Sequence, residues 1–277
     1  MKPCTSINVL FDPTFRIPVE EQIQRVYDAG FRHMDMNFWD WAVFEQSPFR
    51  QDDWRNWVDR AANKAASLGV KFTQAHADVF NFYTEDEARY EMYLRSIEGS
   101  AMLGVPWSVF HPSPRPDFSA ETEAEILKEN VEYFKPLVEY AEKWKVGIAL
   151  ENMRNNIRTA AQLNVLADAL DSPYVGTCWD TGHAHIAGEN QTESIRLMGK
   201  RLHALHIQDN ERGEDVHTAP YFGTVGWDEV MAALKEIEFP GDLTFEGHNI
   251  VRAVPDGCRA EALRLLYAIG RHLVGED

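Results

Sequence analysis

Eight short apolar runs alternate with eight amphipathic stretches along this chain, and that alternation most limits the folds open to it. The runs are TSINVLF (5–11), FRHMDMNF (31–38), VKFTQAHA (70–77), WSVFHP (107–112), VGIALEN (146–152), YVGTCWD (174–180), LHALHIQD (202–209) and DLTFEGH (242–248). Their β-branched, apolar composition is that of parallel strands buried on both faces. Helical patterns lie between them. VEEQIQRVYDAG ends at Gly30, DDWRNWVDRAANKAASLG at Gly69 and EDEARYEMYLRSIEGSAMLG at Gly104, each glycine a C-terminal cap just before the next strand. ETEAEILKENVEYFKPLVEYAEKW is long for one helix, and Pro136 is expected to kink or divide it. A last helix near 256–273 follows the eighth run.

No linker, low-complexity tract or charge block separates domains. Eight βα units in 277 residues match the (β/α)8 barrel, which needs about 250 residues. The expected fold is therefore α/β, a single (β/α)8 TIM barrel over residues 1–277. A doubly wound open sheet is the rival, but no GxGxxG follows the first strand. Residues 37–57 (NFWDWAVFEQSPFRQDDWRNW) form a long connection crowded with aromatic side chains. Such a segment suits stacking on an apolar or sugar ring, or burial in a subunit contact.

Polar residues close the apolar runs. Glu151, Asp180, His206 and Glu246 each end one, about one strand-plus-helix unit beyond the last. In a parallel barrel all four project from the same face, where three acids and an imidazole make a site for a hard-to-borderline divalent cation. His76 and His111 end the third and fourth strands, His183 lies three residues past Asp180, and Asp215 and His217 follow the seventh strand. Alone, each has a plain structural explanation as a hydrogen-bonded histidine or a helix cap. Their selection of one end of six strands does not.

The rest of the composition narrows the classes. With 27 basic and 44 acidic side chains the net charge is −17, which repels phosphate backbones and anionic membranes at long range and argues against a nucleic-acid partner. Cys4, Cys178 and Cys258 are widely spaced without CxxC, so neither a disulfide framework nor a cysteine metal site is indicated. No apolar run approaches a membrane span, and the N-terminus lacks a secretion pattern; a cytoplasmic location is the expectation.

The stretches ALENM…NIRTAAQLNVLADALDSPYVGTCWDTGHAHIAGE, HALHIQDN…DVHTAPYFGTVGWDEV and TFEGH resemble the sugar isomerase/epimerase superfamily with the xylose-isomerase-like barrel, from about residue 70 to 250 and most strongly from 146. The resemblance implies that Glu151, Asp180, His206 and Glu246 hold one divalent cation, most often Mn²⁺, with Mg²⁺, Co²⁺ or Zn²⁺ as the others. It implies that His183 binds a substrate oxygen, and that Glu151 and Glu246 act as the acid–base pair of a ketose 3-epimerase. It also implies a homo-oligomer, a dimer or tetramer.

The chemistry fits independently. Moving a carbonyl along a sugar requires taking a proton from carbon. A Lewis acid chelating the carbonyl and hydroxyl oxygens stabilises the resulting enediolate, and carboxylates on opposite sides take and return the proton. No glycine-rich anion nest or concentrated basic pocket is present for a sugar phosphate, so a free ketose, polyol or glycoside is the expected partner. His76, His111, Arg212, His217, Trp39 and Trp179 are further candidates for holding it. Trp107 also falls near a strand end, but at a strand start, where packing is the simpler reading.

Two alternatives stay open. The metal-dependent apurinic endonucleases share this barrel and use three zinc ions, and His76, His111, Glu151, Asp180, His183, His206, Asp215, His217 and Glu246 match their ligand set in order. The charge of −17 weighs against a nuclease. Alternatively, the chain is one subunit of a multi-chain enzyme, as in carbon-glycoside-cleaving relatives.

Overall fold

The computed structural model describes residues 1–84, 87–154 and 156–276. Eight parallel strands appear where apolar runs were expected, each shorter than its run. They are β1 (Pro3–Ser6), β2 (His33–Asn37), β3 (Lys71–His76), β4 (Trp107–Phe110), β5 (Gly147–Glu151), β6 (Val175–Asp180), β7 (Leu202–His206) and β8 (Leu243–Phe245). The first run leaves strand geometry at Ser6 and turns into a 3₁₀ helix over Ile7–Leu10. The helices are α1 (Val19–Asp28), α2 (Trp39–Val43), α3 (Trp54–Leu68), α4 (Glu87–Met102), α5 (Glu123–Trp144), α6 (Ala160–Leu170), α7 (Thr181–Ala187), α8 (Gln191–Met198), α9 (Trp227–Glu236), α10 (His248–Arg252) and α11 (Arg259–Val274). None is long and apolar enough to cross a membrane among the described residues. Pro136 does not divide α5, which runs as one helix through it.

The strands pair in the order β7-β6-β5-β4-β3-β2-β1-β8. The ring closes at a thin seam between β7 and β8, through one bridge, Ile207 to Phe245. There Ile207 N–H donates to the Thr244 carbonyl at 2.8 Å and Glu246 N–H to the Ile207 carbonyl at 3.0 Å. The fold is a (β/α)8 TIM barrel.

Side-chain alternation divides the core in two. The outward residues join the helices in one large apolar cluster, whereas Val109, Ala149, Cys178 and Ala204 form a separate small one. These four lie two residues before His111, Glu151, Asp180 and His206, so by the period of a strand they form the layer beneath the strand-end polar residues. Small side chains there leave room for the polar layer to converge.

At the opposite end Trp107 stacks on His203, with ring centroids 3.8 Å apart and planes 8° apart. A Cβ on Gly147 would lie 2.1 Å from the Trp107 ring, and one on Gly176 2.4 Å from His203. Trp107 therefore packs the floor of the barrel, away from the strand C-termini. Gly147→Ala should lower unfolding free energy by roughly 1–3 kcal/mol through overpacking. A denaturant melt with an unchanged midpoint would show instead that Trp107 moves aside freely.

The aromatic segment folds onto itself. Phe38, Trp41, Phe49, Trp54 and Trp57 are buried; Trp41 lies 4.8 Å from Trp57 and Phe38 4.9 Å from Phe49, centroid to centroid. These rings are used internally, so they offer no face to a sugar or a second subunit. Trp39, 40% exposed, is left outside this packing.

Candidate metal centre and active site

Glu151, 1% exposed at the end of β5, is the hub of the strand-end layer. Its Oε2 lies 3.0 Å from His111 Nε2 and 3.6 Å from His76 Nε2. Its Oε1 lies 3.1 Å from His206 Nδ1 and 3.3 Å from His183 Nδ1. Glu246 Oε2 lies 3.7 Å from the same His206 nitrogen and 3.4 Å from His217 Nε2. Asp180 caps α7 by accepting the His183 backbone N–H at 2.6 Å. His183 Nε2 in turn faces Asp215 Oδ2 at 3.2 Å.

Three overlapping groups each offer ligand atoms within 4.8 Å of one another: Asp180, His206 and Glu246; Glu151, Asp180 and His183; and Glu151, Cys178 and His206. His76, His111 and Glu151 make a fourth. His206 is fully buried, and neither ring nitrogen has a hydrogen-bond partner among the described residues. Its 3.1 Å approach to Glu151 is close in distance but misaligned for a hydrogen bond. A buried imidazole without a partner is costly, and a cation between it and the acids removes that cost. The donor set, carboxylate oxygens with imidazole nitrogen, suits Mn²⁺, Mg²⁺, Co²⁺ or Zn²⁺.

Electrostatics explain how so many acids coexist. Burial would raise Glu151, but His206, His111 and His183 together hold it well below the usual carboxylate range. Glu246 is likewise held well below, with His206 and His217 outweighing burial. Burial pushes Asp180 up to about 6, with His183 pulling the other way. For His183 burial acts to lower the value, yet Asp180, Asp215 and Glu151 hold it well above the ordinary imidazole range. Protonated histidines thus supply the positive charge that the acids demand.

Residues outside the strand-end pattern hold the layer in place. Asn152 accepts the Asp180 N–H at 2.7 Å and donates to the Asp180 carbonyl at 3.0 Å, while its own carbonyl faces His183 Nδ1 at 2.9 Å. Gln208 donates to Asp180 Oδ2 at 3.3 Å and to Asp215 Oδ1 at 2.8 Å. Gly182 permits this, because a Cβ there would sit 2.2 Å from the Gln208 carboxamide. Buried Asp209 accepts from Tyr221 N, Val225 N and Trp227 Nε1 at 2.9–3.0 Å, folding the loop that carries Asp215 and His217 back over the barrel. His217 adopts a φ of 44° there.

Not every candidate joins the cluster. Trp179 neighbours Asp180 and so faces the helix layer, where it is fully buried and its indole donates to Gln191 at 2.7 Å; it offers no surface to a substrate. Arg212 is exposed on the loop, and its charge reaches His185 outside the cluster. Conversely, a reading of strand ends alone passes over Cys178 and Asp35. Cys178 lies within the Glu151–His206 group, and Asp35, buried on β2, has no aligned hydrogen bond to either carboxylate oxygen among the described residues. Both stand two residues before a strand-end polar residue, and that parity was the available signal.

The family model of the xylose isomerase-like TIM barrel matches residues 23–268. The chain belongs to that family. Among relatives of this xylose isomerase-like chain, an uncharacterized Methanocaldococcus jannaschii protein is 32% identical over 57% of the chain and 56% of its own length. Inosose isomerase of Bacillus velezensis is 29% identical over 61% of the chain and 64% of its length. A probable endonuclease 4 of Acholeplasma laidlawii is 23% identical over 63% and 66%. These alignments span between about half and two thirds of each relative. Among solved structures, a D-tagatose 3-epimerase-like protein superposes with a TM-score of 0.75 at 23% identity, over 99% of this chain and 100% of that one. D-psicose 3-epimerase of Clostridium cellulolyticum H10, solved with D-tagatose, gives 0.77 at 17% identity over 99% of both. The last two likenesses concern the barrel fold.

Proposed function

We propose that this chain is a divalent-cation-dependent isomerase or epimerase of an uncharged ketose, polyol ketone or keto-glycoside. The observation that carries the reading is a buried layer in which Asp180, His206 and Glu246 form one close ligand group and Glu151 joins through Asp180 and His206, with neither His206 ring nitrogen in an aligned hydrogen bond among the described residues. Inosose isomerase and ketose 3-epimerases among the relatives support the substrate class.

A cation held by these four, Mn²⁺ in our reading, supplies Lewis acidity toward adjacent carbonyl and hydroxyl oxygens. The side chains do the rest. Glu151 Oε1 and Glu246 Oε2 come within 3.1 and 3.7 Å of His206 Nδ1, yet the two acids share none of the close ligand groups described above. That separation suits two carboxyl groups on opposite faces of one carbon, one removing the C–H proton and the other, protonated, returning one. Despite burial, the neighbouring histidines hold both below the usual carboxylate range, so either can take the first proton, and its counterpart must be loaded with a proton before it can return one. His183 donates to the Asn152 carbonyl through Nδ1 and to Asp215 through Nε2, which fixes its ring beside the substrate oxygens. His76, His111 and His217 complete the wall. Burial of the layer excludes the water that would otherwise protonate a carbanion indiscriminately.

The test is incubation of Mn²⁺-loaded protein with free ketoses and 2-keto-myo-inositol, followed for epimer or aldose formation. Conversion of at least one is expected, and silence across the panel counts against the reading.

A second reading has its own support: all nine residues of the three-zinc endonuclease pattern, including Asp215 and His217, lie in one connected cluster. Three tightly bound zinc ions per chain together with cleavage of abasic DNA would favour it. The net charge of −17 favours the sugar.

A further inference from the structure

The acid–base layer leaves one side of the barrel mouth unassigned, the side formed by β8, β1 and β2. There Asp40 on α2 and Arg252 at the end of α10 meet, with Arg252 Nη2 3.3 Å from Asp40 Oδ2. The same Nη2 donates to the Asn8 carbonyl, just past β1. Asn37, at the end of β2, accepts the Asp40 N–H at 3.1 Å. His248 Nε2 lies 2.5 Å from Asn8 Oδ1, and its ring packs 5.0 Å from His217.

Asp40 stands at the barrel mouth, in the helix that follows β2, with its side chain 16% exposed; the charges acting on it include those of His76 and Glu246 as well as Arg252. Arg252 is 39% exposed, and Trp39, next to Asp40, is 40% exposed. The pair is thus held by Asn8 and Asn37 and remains partly open to solvent.

We propose that the Asp40–Arg252 pair is the subsite that reads the hydroxyl-bearing part of the substrate, binding a vicinal diol of an uncharged sugar or polyol and turning away its phosphorylated counterpart. This rests on the sugar reading above. An ion pair sums to no net charge but sets a fixed acceptor beside a fixed fork of donors. Two neighbouring hydroxyls, each both donor and acceptor, match that pattern through charge-assisted hydrogen bonds. A phosphate needs uncompensated positive charge, and here it meets the Asp40 carboxylate with Glu246 behind it. Sites built to hydrogen-bond a hydroxyl discriminate strongly against ligands that leave them unpaired.

The test is calorimetric titration of Mn²⁺-loaded protein with D-fructose, D-psicose, 2-keto-myo-inositol and D-fructose 6-phosphate. The wild type should bind at least one uncharged probe more tightly than the phosphate. Asp40→Asn frees the Arg252 charge. It should weaken the uncharged probe about tenfold and shift the neutral-to-phosphate ratio toward the phosphate. Arg252→Gln should weaken the uncharged probe without helping the phosphate, and Arg252→Lys should recover part of the loss. In turnover the change should fall on KM more than on kcat. Variants that bind as the wild type does, with an unchanged ratio, overturn the subsite alone; a wild type that prefers the phosphate overturns the subsite and the uncharged-substrate part of the reading above. A wild type that binds no probe removes the sugar reading and the subsite with it.

Discussion

Glu151→Gln is expected to reduce kcat/KM by about 10³-fold or more while leaving the fold intact, and Glu246→Gln should do nearly the same. The amide keeps the shape of each side chain but neither accepts a proton from carbon nor carries charge. General acid–base catalysis by one such group is worth about 10²–10⁴, and Glu151 has a second task, compensating the histidines around it. Without its charge, His183 and His206, both held against burial above the ordinary imidazole range partly by Glu151, lose that support and the ligand layer loosens. The measurement is steady-state turnover of whichever ketose the wild type converts, with bound metal and the circular dichroism melt recorded for each variant. Either variant working within tenfold of wild type, metal bound, would remove the acid–base assignment.

Stripping the metal should abolish turnover and lower the melting temperature. A cation that binds only the folded chain stabilises it by about 2.7–4.1 kcal/mol when present at 100 to 1,000 times its Kd. For a chain of this size that corresponds to roughly 5–15 °C. Chelator followed by Mn²⁺ should restore both properties, at one ion per chain. The pH dependence has a definite sign. Burial acts to lower His206, but Cys178, Glu151 and Glu246 hold it well above the ordinary imidazole range. The ion-free site therefore carries a proton there at neutrality, and the cation must displace it. Affinity should fall as pH falls, by about tenfold per unit for each proton displaced. Affinity flat between pH 8 and 6, or a melt indifferent to chelator, would show that the cluster is held together by its own protons and ion pairs.

The strands and the strand-end layer were legible in the sequence for one physical reason: in a parallel barrel the end of every strand opens on the same face. Runs ending in Glu151, Asp180, His206 and Glu246 therefore implied convergence before any geometry was known. The same alternation excludes Trp179, since the residue beside Asp180 must point the other way. What escaped was anything set by tertiary packing. The aromatic segment 37–57 reads as a long connection for stacking on a sugar ring or burial in a subunit contact, yet Trp41, Phe49, Trp54 and Trp57 pack together against Phe38. Asn152 and Gln208 close their runs without any mark of a role, because their bonds to Asp180 depend on chain segments far away in sequence. Asp40 and Arg252 were illegible for the same reason. Pro136 was expected to interrupt α5, but the helix continues through it.

The thin seam between β7 and β8 has a consequence for how the barrel holds together. His206 immediately precedes Ile207 and Glu246 immediately follows Phe245, the two residues of the bridging pair. An ion gripped by that histidine and that glutamate clasps the cylinder where its own ladder is shortest. Loading the site and locking the hoop then become one event, so amide protons of Ile207 and Glu246 should exchange with solvent more slowly once the clasp is fastened.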